Sequence, residues 1–152
     1  MKKIRVLFAD DHKLIRAGLR LVAEKDPDIL VVGEADDGVQ AVATAQSLRP
    51  DVAVLDIGMP NTNGIEAARQ IQDSLPQTRV IMLSMHSDET YVLRALRVGV
   101  RGYLLKDSAE ADLVKAIQAH ASSGSEGNLS VAAFNLLPDS SKQDLLNFLR
   151  SL

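Results

Sequence analysis

Apolar residues in this chain fall into short unbroken runs, separated by longer stretches with helical spacing. The runs are IRVLFA (Ile4 to Ala9), ILVVGEA (Ile29 to Ala35), VAVL (Val52 to Leu55), RVIMLS (Arg79 to Ser84) and GYLL (Gly102 to Leu105). Most are continuous rather than alternating, which is expected of strands covered on both faces. Between them the apolar positions recur every three or four residues. The first such stretch carries Leu14, Ile15, Gly18, Leu19, Leu21 and Val22, and GVQAVATAQSL, GIEAARQIQDSL, ETYVLRALRVG and EADLVKAIQAH follow the later strands. Punctuation agrees: Ser87 or Asp88 can cap the fourth helix, Gly99 suits its end, and Pro50 and Pro76 sit in helix-to-strand turns. Five alternating strand and helix units in about 120 residues predict a doubly wound α/β domain with a five-stranded parallel sheet, since right-handed crossovers allow little else.

In such sheets ligands gather beyond the carboxyl ends of the strands, at the switch in strand order. Those ends carry the polar residues. The first strand delivers Asp10 and Asp11, the third Asp56, the fourth Ser84 and the fifth Lys106. Three carboxylates converging on one pocket repel one another unless a cation sits among them, and a hard divalent ion such as Mg²⁺ or Mn²⁺ meets that need. One carboxylate can then act as a nucleophile towards phosphorus. Asp56 suits that role because it stands alone at the tip of the most apolar strand. Lys106 can meet a phosphoryl oxygen as a point charge and Ser84 can donate a hydrogen bond to another. Phosphoryl transfer asks mainly for such positioning and charge neutralisation. Each residue also has a plainer reading: acids favour helix N-termini, Asp56 precedes a Gly/Pro loop, and Ser84 and Lys106 fit a loop cap and a surface cation. What sets the functional reading apart is that all five fall at strand ends.

Composition narrows the partners. The chain has 152 residues, 46% of them hydrophobic, with a formal net charge of -3 and only 3% aromatics. Nothing basic or aromatic is concentrated enough to argue for direct nucleic-acid binding. There is no cysteine, which excludes disulfides, thiolate chemistry, cysteine-ligated zinc and covalent haem attachment. No apolar segment reaches membrane-spanning length, and Asp10 and Asp11 interrupt the first apolar run, so a cytoplasmic protein without membrane contact is expected.

Asp10-Asp11, Asp56, Ser84 and Lys106 at these spacings resemble the receiver domain of two-component response regulators, a flavodoxin-like (βα)5 fold. The stretches DDH, LDIGMPNTNGIEA, VIMLSMH and GVRGYLLKD further resemble its NarL/FixJ (LuxR-type) branch. The resemblance covers about residues 3–122. It implies that Asp56 accepts a phosphoryl group from a histidine kinase. Asp11 and Asp56 would hold Mg²⁺ directly, Asp10 would act through water, and the backbone carbonyl of Gly58 would be a further ligand. Ser84 and Lys106 would contact the phosphoryl group, and Tyr103 would rotate inward as the serine moves. Gly58 and His86 occupy positions that tune phosphate lifetime, and Met85 is larger than the small residue many receivers keep there. The output is conformational, with homodimerisation through the face of the fourth helix, fifth strand and fifth helix as one implied result, and a role in transcription regulation through a missing or separate output. Such a protein is not an enzyme beyond accepting and slowly losing its own phosphate.

Two other classes stay open at this point. A phosphatase of the haloacid dehalogenase type also uses a strand-end aspartate with Mg²⁺, but it wants a second acid where this chain has Gly58. A pseudo-receiver would pair with partners without phosphorylation, and its usual mark is loss of an acceptor or acidic-pair residue, all of which are present here.

The expected organisation is a receiver over 1–122 and a linker with a short helical tail over 123–152, without a helix-turn-helix domain. AHASSGSEGN (Ala119 to Asn128) is a Gly/Ser-rich break. Pro138-Asp139-Ser140-Ser141 is a helix-start signal, and Leu145, Leu146, Phe148, Leu149 and Leu152 form one apolar stripe. KQDLLNFLRSL is faintly similar to the terminal helix of some c-type cytochromes, but with no C-x-x-C-H it implies no haem.

Overall fold

The computed structural model describes residues 3–85, 89–106 and 109–121. Expectations for His86, for the Ser87 or Asp88 cap, for the boundary at 122 and for the tail lie outside the described residues. The order is β1 (Ile4–Ala9), α1 (Lys13–Glu24), β2 (Ile29–Ala35), α2 (Gly38–Leu48), β3 (Val52–Asp56), α3 (Gly64–Ser74), β4 (Arg79–Ser84), α4 (Glu89–Arg97), β5 (Gly102–Leu105) and α5 (Ala109–Ala121).

The strands form one parallel sheet in the order β2-β1-β3-β4-β5. Side chains alternate between two cores. Leu7, Ala53, Leu55, Val80, Met82 and Tyr103 pack under α2, α3 and α4. Val6, Phe8, Val54, Ile81, Leu83 and Leu104 pack under α1 and α5. β3 is buried at all five positions, which explains its continuous apolarity; each Val or Leu so buried contributes roughly 1.5–3 kcal/mol. β2 is an edge strand and is more open, with Leu30 44% exposed.

Local signals close the helices. Asp37 and Asn63 cap α2 and α3, their side chains accepting from the backbone N–H of Gln40 and Glu66. Gly99 takes φ +95° after α4, a left-handed conformation that favours glycine. The first helix departs from its sequence pattern. Leu19 and Ala23 face the sheet, with Ile15 and Val22 partly buried beside them, while Leu14 and Leu21 stand 86% and 66% exposed.

Candidate functional site

The order β2-β1-β3 puts the topological switch between β1 and β3, and both strands end there in acids. Asp10 follows β1 and is fully buried; Asp56 is the last residue of β3 and is nearly so. Asp11 and His12 are exposed at the rim. One donor atom from each of Asp10, Asp11, His12 and Asp56 lies within 4.8 Å of the others, so the cluster can hold a metal ion. Lys106 closes the far side, its Nζ 3.0 Å from Asp10 Oδ2 and 3.2 Å from Asp56 Oδ2. Ser84 is buried at the end of β4, next to β3, with Leu83 opposite Asp56 in the ladder. The five strand-end residues singled out from the sequence therefore share one edge.

The electrostatics are unbalanced. Burial raises the Asp56 carboxyl above its ordinary value, with the Asp10 charge adding to it, while the Gly58 N–H and the Lys106 cation oppose. Burial also works against the Lys106 ammonium, but its contact with Asp10 and the charges of Asp56 and Asp10 outweigh that and raise its pKa. Asp56 Oδ1 accepts the Gly58 N–H at 3.2 Å. Asp10 Oδ1 accepts the His12 N–H at 2.8 Å, and His12 Nδ1 lies 3.2 Å from the same oxygen. Asp10 Oδ2 is buried, with the Lys106 ammonium 3.0 Å away as its charged partner.

Three residues that support this geometry were not legible as site residues. Arg16 on α1 donates from Nη1 to the Asp10 carbonyl at 2.6 Å and pairs through Nε with Glu34 at 3.0 Å, fixing the backbone that carries the acid pair. Gly64 opens α3 against the end of β3: a Cβ there would stand 2.2 Å from the Asp56 carbonyl oxygen. Gly38 plays the same part for α2, where a Cβ would stand 1.8 Å from the Thr62 carbonyl oxygen. The loop is further tied by Asn61, whose Nδ2 donates to Asp37 Oδ2 at 3.1 Å while its own φ is +67°. Arg16 had a sequence signal only in retrospect, as a cation on the turn after two acids. The glycines had none, because close approach of two backbones is a tertiary fact.

The other predicted positions are also placed. Gly58 is exposed, and a Cβ on it would have only Asp56 Oδ1 nearby, at 3.9 Å, so a side chain at 58 would border the acceptor carboxylate. Met85 is 63% exposed beside Ser84. Tyr103 lies inward, 2% exposed, in the core with Met82, Val92 and Val100.

A doubly wound sheet with paired acids, a lone strand-end aspartate and an opposed lysine defines a receiver-type pocket. The response regulator receiver domain model matches residues 6–118. The chain is 44% identical over 119 residues to the uncharacterized transcriptional regulatory protein YxjL of Bacillus subtilis, covering 78% of this chain and 55% of that one. It is 38% identical over 122 residues to the transcriptional regulatory protein DegU of Brevibacillus brevis, covering 80% and 52%. The solved signal receiver domain of the putative response regulator NarL from Mycobacterium tuberculosis superposes with a TM-score of 0.77 at 39% identity, covering 82% of this chain and all of that one. The chain belongs to the response regulator receiver domain family of two-component systems, in its NarL/LuxR-type branch. It spans about half the length of the two regulators. Among the described residues no helix is long and apolar enough to cross a membrane.

Proposed function

We propose that Asp56 is the phosphoacceptor and that this receiver works as a Mg²⁺-dependent conformational switch. The observation that carries the reading is Asp56 at the tip of β3, near-buried, with the Lys106 ammonium 3.2 Å from one oxygen and the Gly58 N–H 3.2 Å from the other. The donor phosphoryl comes from a phosphohistidine of a sensor kinase: an Asp56 oxygen forms the new P–O bond, the P–N bond breaks, and the imidazole leaves. Lys106 stays beside the transferred group and neutralises part of its charge. Ser84 offers its hydroxyl to another phosphoryl oxygen.

The residues present suit a divalent ion, since Asp10, Asp11, His12 and Asp56 each offer a ligand atom and these atoms lie within 4.8 Å of one another. Asp11, Asp56 and the Gly58 carbonyl would hold Mg²⁺ (or Mn²⁺), with Asp10 acting through water. Bound there, the ion would supply charge neutralisation for the incoming phosphoryl oxygens. Gly58, Met85 and His86 tune phosphate lifetime.

Tyr103, whose ring is buried in this structure, is the switch residue that follows Ser84 when it meets the phosphoryl group. The response then spreads to the α4-β5-α5 face, which serves homodimer or partner contacts. The receiver occupies 1–122, acts in the cytoplasm without binding nucleic acid itself, and serves transcription regulation through a separate output; this accords with relatives described as transcriptional regulators. Residues 123–152 form a linker and tail.

Intact mass after incubation with acetyl phosphate tests the reading. One phosphoryl group per chain is expected with Mg²⁺, and none with a chelator. Steady phosphate release from p-nitrophenyl phosphate would instead identify a phosphatase, and no gain with metal bound would identify a phosphorylation-independent module.

A further inference from the structure

His12 offers a ligand atom that the reading above leaves without a role. It stands at the N-cap of α1, yet its side chain makes no capping hydrogen bond to the helix. Asn, Asp, Ser and Thr serve that position by accepting from a backbone N–H, so capping does not account for an imidazole here. The ring is turned to the acids instead, its Nδ1 3.1 Å from Asp11 Oδ1 and 3.2 Å from Asp10 Oδ1. The backbone keeps it there. The His12 N–H donates to Asp10 Oδ1 at 2.8 Å, and the His12 carbonyl accepts the Arg16 N–H at 3.0 Å.

Two explanations fit a ring so placed. As an ion-pair partner a protonated His12 would only offset the acids, and with its side chain 63% exposed and that of Asp11 31% exposed, water screens the pairing and leaves it worth little. As a ligand it has more to do. Two donors held side by side on one divalent ion at about 2.1 Å stand about 3.0 Å apart. The 3.1 Å between His12 Nδ1 and Asp11 Oδ1 matches that spacing. A ring nitrogen of His12 also lies within 4.8 Å of donor atoms of Asp10 and Asp56, so a single ion is within reach of all of them. With Nδ1 as the ligand, Nε2 carries the ring proton.

We propose that His12 Nδ1 coordinates the ion held by Asp11 and Asp56, so that Zn²⁺ and the other late first-row ions are favoured over Mg²⁺ by more than the carboxylates alone would give. The inference rests on the metal pocket of the reading above and names the residue that tunes which ion fills it. Mg²⁺ takes oxygen ligands and gains little from an imidazole, whereas Zn²⁺, Ni²⁺ and Co²⁺ accept one readily. His12 is therefore a specificity residue: Mg²⁺ binding is left to the oxygen ligands, and only the softer ions gain from the ring.

Calorimetric titration of the full chain with Mg²⁺ and, separately, with Zn²⁺ measures the effect. His12 is exposed and its side chain caps nothing, so His12→Ala leaves the fold intact. The substitution should weaken Zn²⁺ binding by at least about tenfold and change Mg²⁺ binding by less than about twofold. Excess Mg²⁺ should displace the Zn²⁺, since both ions use one pocket. In protein labelled with ¹⁵N-histidine, Zn²⁺ should shift the His12 Nδ1 resonance and leave the proton on Nε2, a signature that a merely neighbouring imidazole does not give. Equal losses for the two ions in His12→Ala, no loss for either, no competition by Mg²⁺, or a Zn²⁺ shift at Nε2 or only at His86 or His120 would overturn the inference and leave the Mg²⁺ pocket standing. If Asp11→Asn weakened the binding of neither ion, the pocket itself would fall and the inference with it.

Discussion

At the amino end of the sheet polar groups are matched one to one. Thr78 is buried and its hydroxyl donates to the Pro50 carbonyl at 2.8 Å, the Arg5 N–H donates to Asp51 Oδ2 at 2.9 Å, and the Arg5 guanidinium reaches the Arg49 carbonyl at 2.8 Å. At the carboxyl end two carboxylates, Asp10 and Asp56, share one lysine, and a third, Asp11, stands beside them with His12 Nδ1 3.1 Å away. The same strands supply both ends, so the difference is not one of fold. The amino end is built for stability; the carboxyl end gathers more acids than cations, with burial raising the Asp56 carboxyl.

The largest break in that contrast comes from removing the acceptor. Asp56→Asn should abolish phosphoryl acceptance from acetyl phosphate while the protein becomes more stable at neutral pH. The stability change follows from the raised carboxyl: the folded wild type holds that proton more tightly than the unfolded chain, so its stability falls as pH rises from 3.8 through the folded value. Denaturant melts should show the variant's advantage at pH 7 and none below 3.8.

Gly64→Ala attacks the pocket through its backbone. With a Cβ 2.2 Å from the Asp56 carbonyl oxygen, β3 and α3 must separate, at a cost of about 3 kcal/mol. Displacing the acceptor by even part of an ångström should slow labelling by up to roughly a hundredfold, read from the initial rate of mass gain.

Thr78→Val is the matching change at the other end. It leaves the buried Pro50 carbonyl without its donor and should cost about 2 kcal/mol in urea unfolding. The labelling rate should not change. A change in labelling would mean that the two ends are coupled through the sheet.

The smallest effect belongs to the α3 surface. The Arg69 guanidinium, with help from Gln70, holds the exposed Glu66 carboxyl at about 2, below its ordinary 4.5. Its contribution to stability is present above 4.5 and is lost as pH falls through about 2. Glu66→Gln should therefore be slightly less stable at neutral pH, with the two melting curves converging in acid.

How much of this was legible follows from where each residue's information lies. β3 could be read because a strand buried on both faces must be apolar throughout, and Asp56 stood out as its only acid. Asp10 and Lys106 were legible as strand ends, but their 3.0 Å pairing was not, since it depends on the crossover that sets β1 and β5 on either side of β3 and β4. Gly38, Gly64 and Arg16 act through backbone approach and a carbonyl contact that no spacing encodes. Helical period alone could not say that Leu14 and Leu21 face outward, because α1 carries two apolar stripes and the sheet takes only one.

The most direct test asks where the phosphoryl group sits. Borohydride reduction of the Mg²⁺- and acetyl phosphate-treated protein converts an aspartyl phosphate to homoserine, which peptide mass spectrometry locates. The account predicts homoserine at position 56 and at no other aspartate. Homoserine at 10 or 11, or none in protein that has gained a phosphoryl mass, would contradict it.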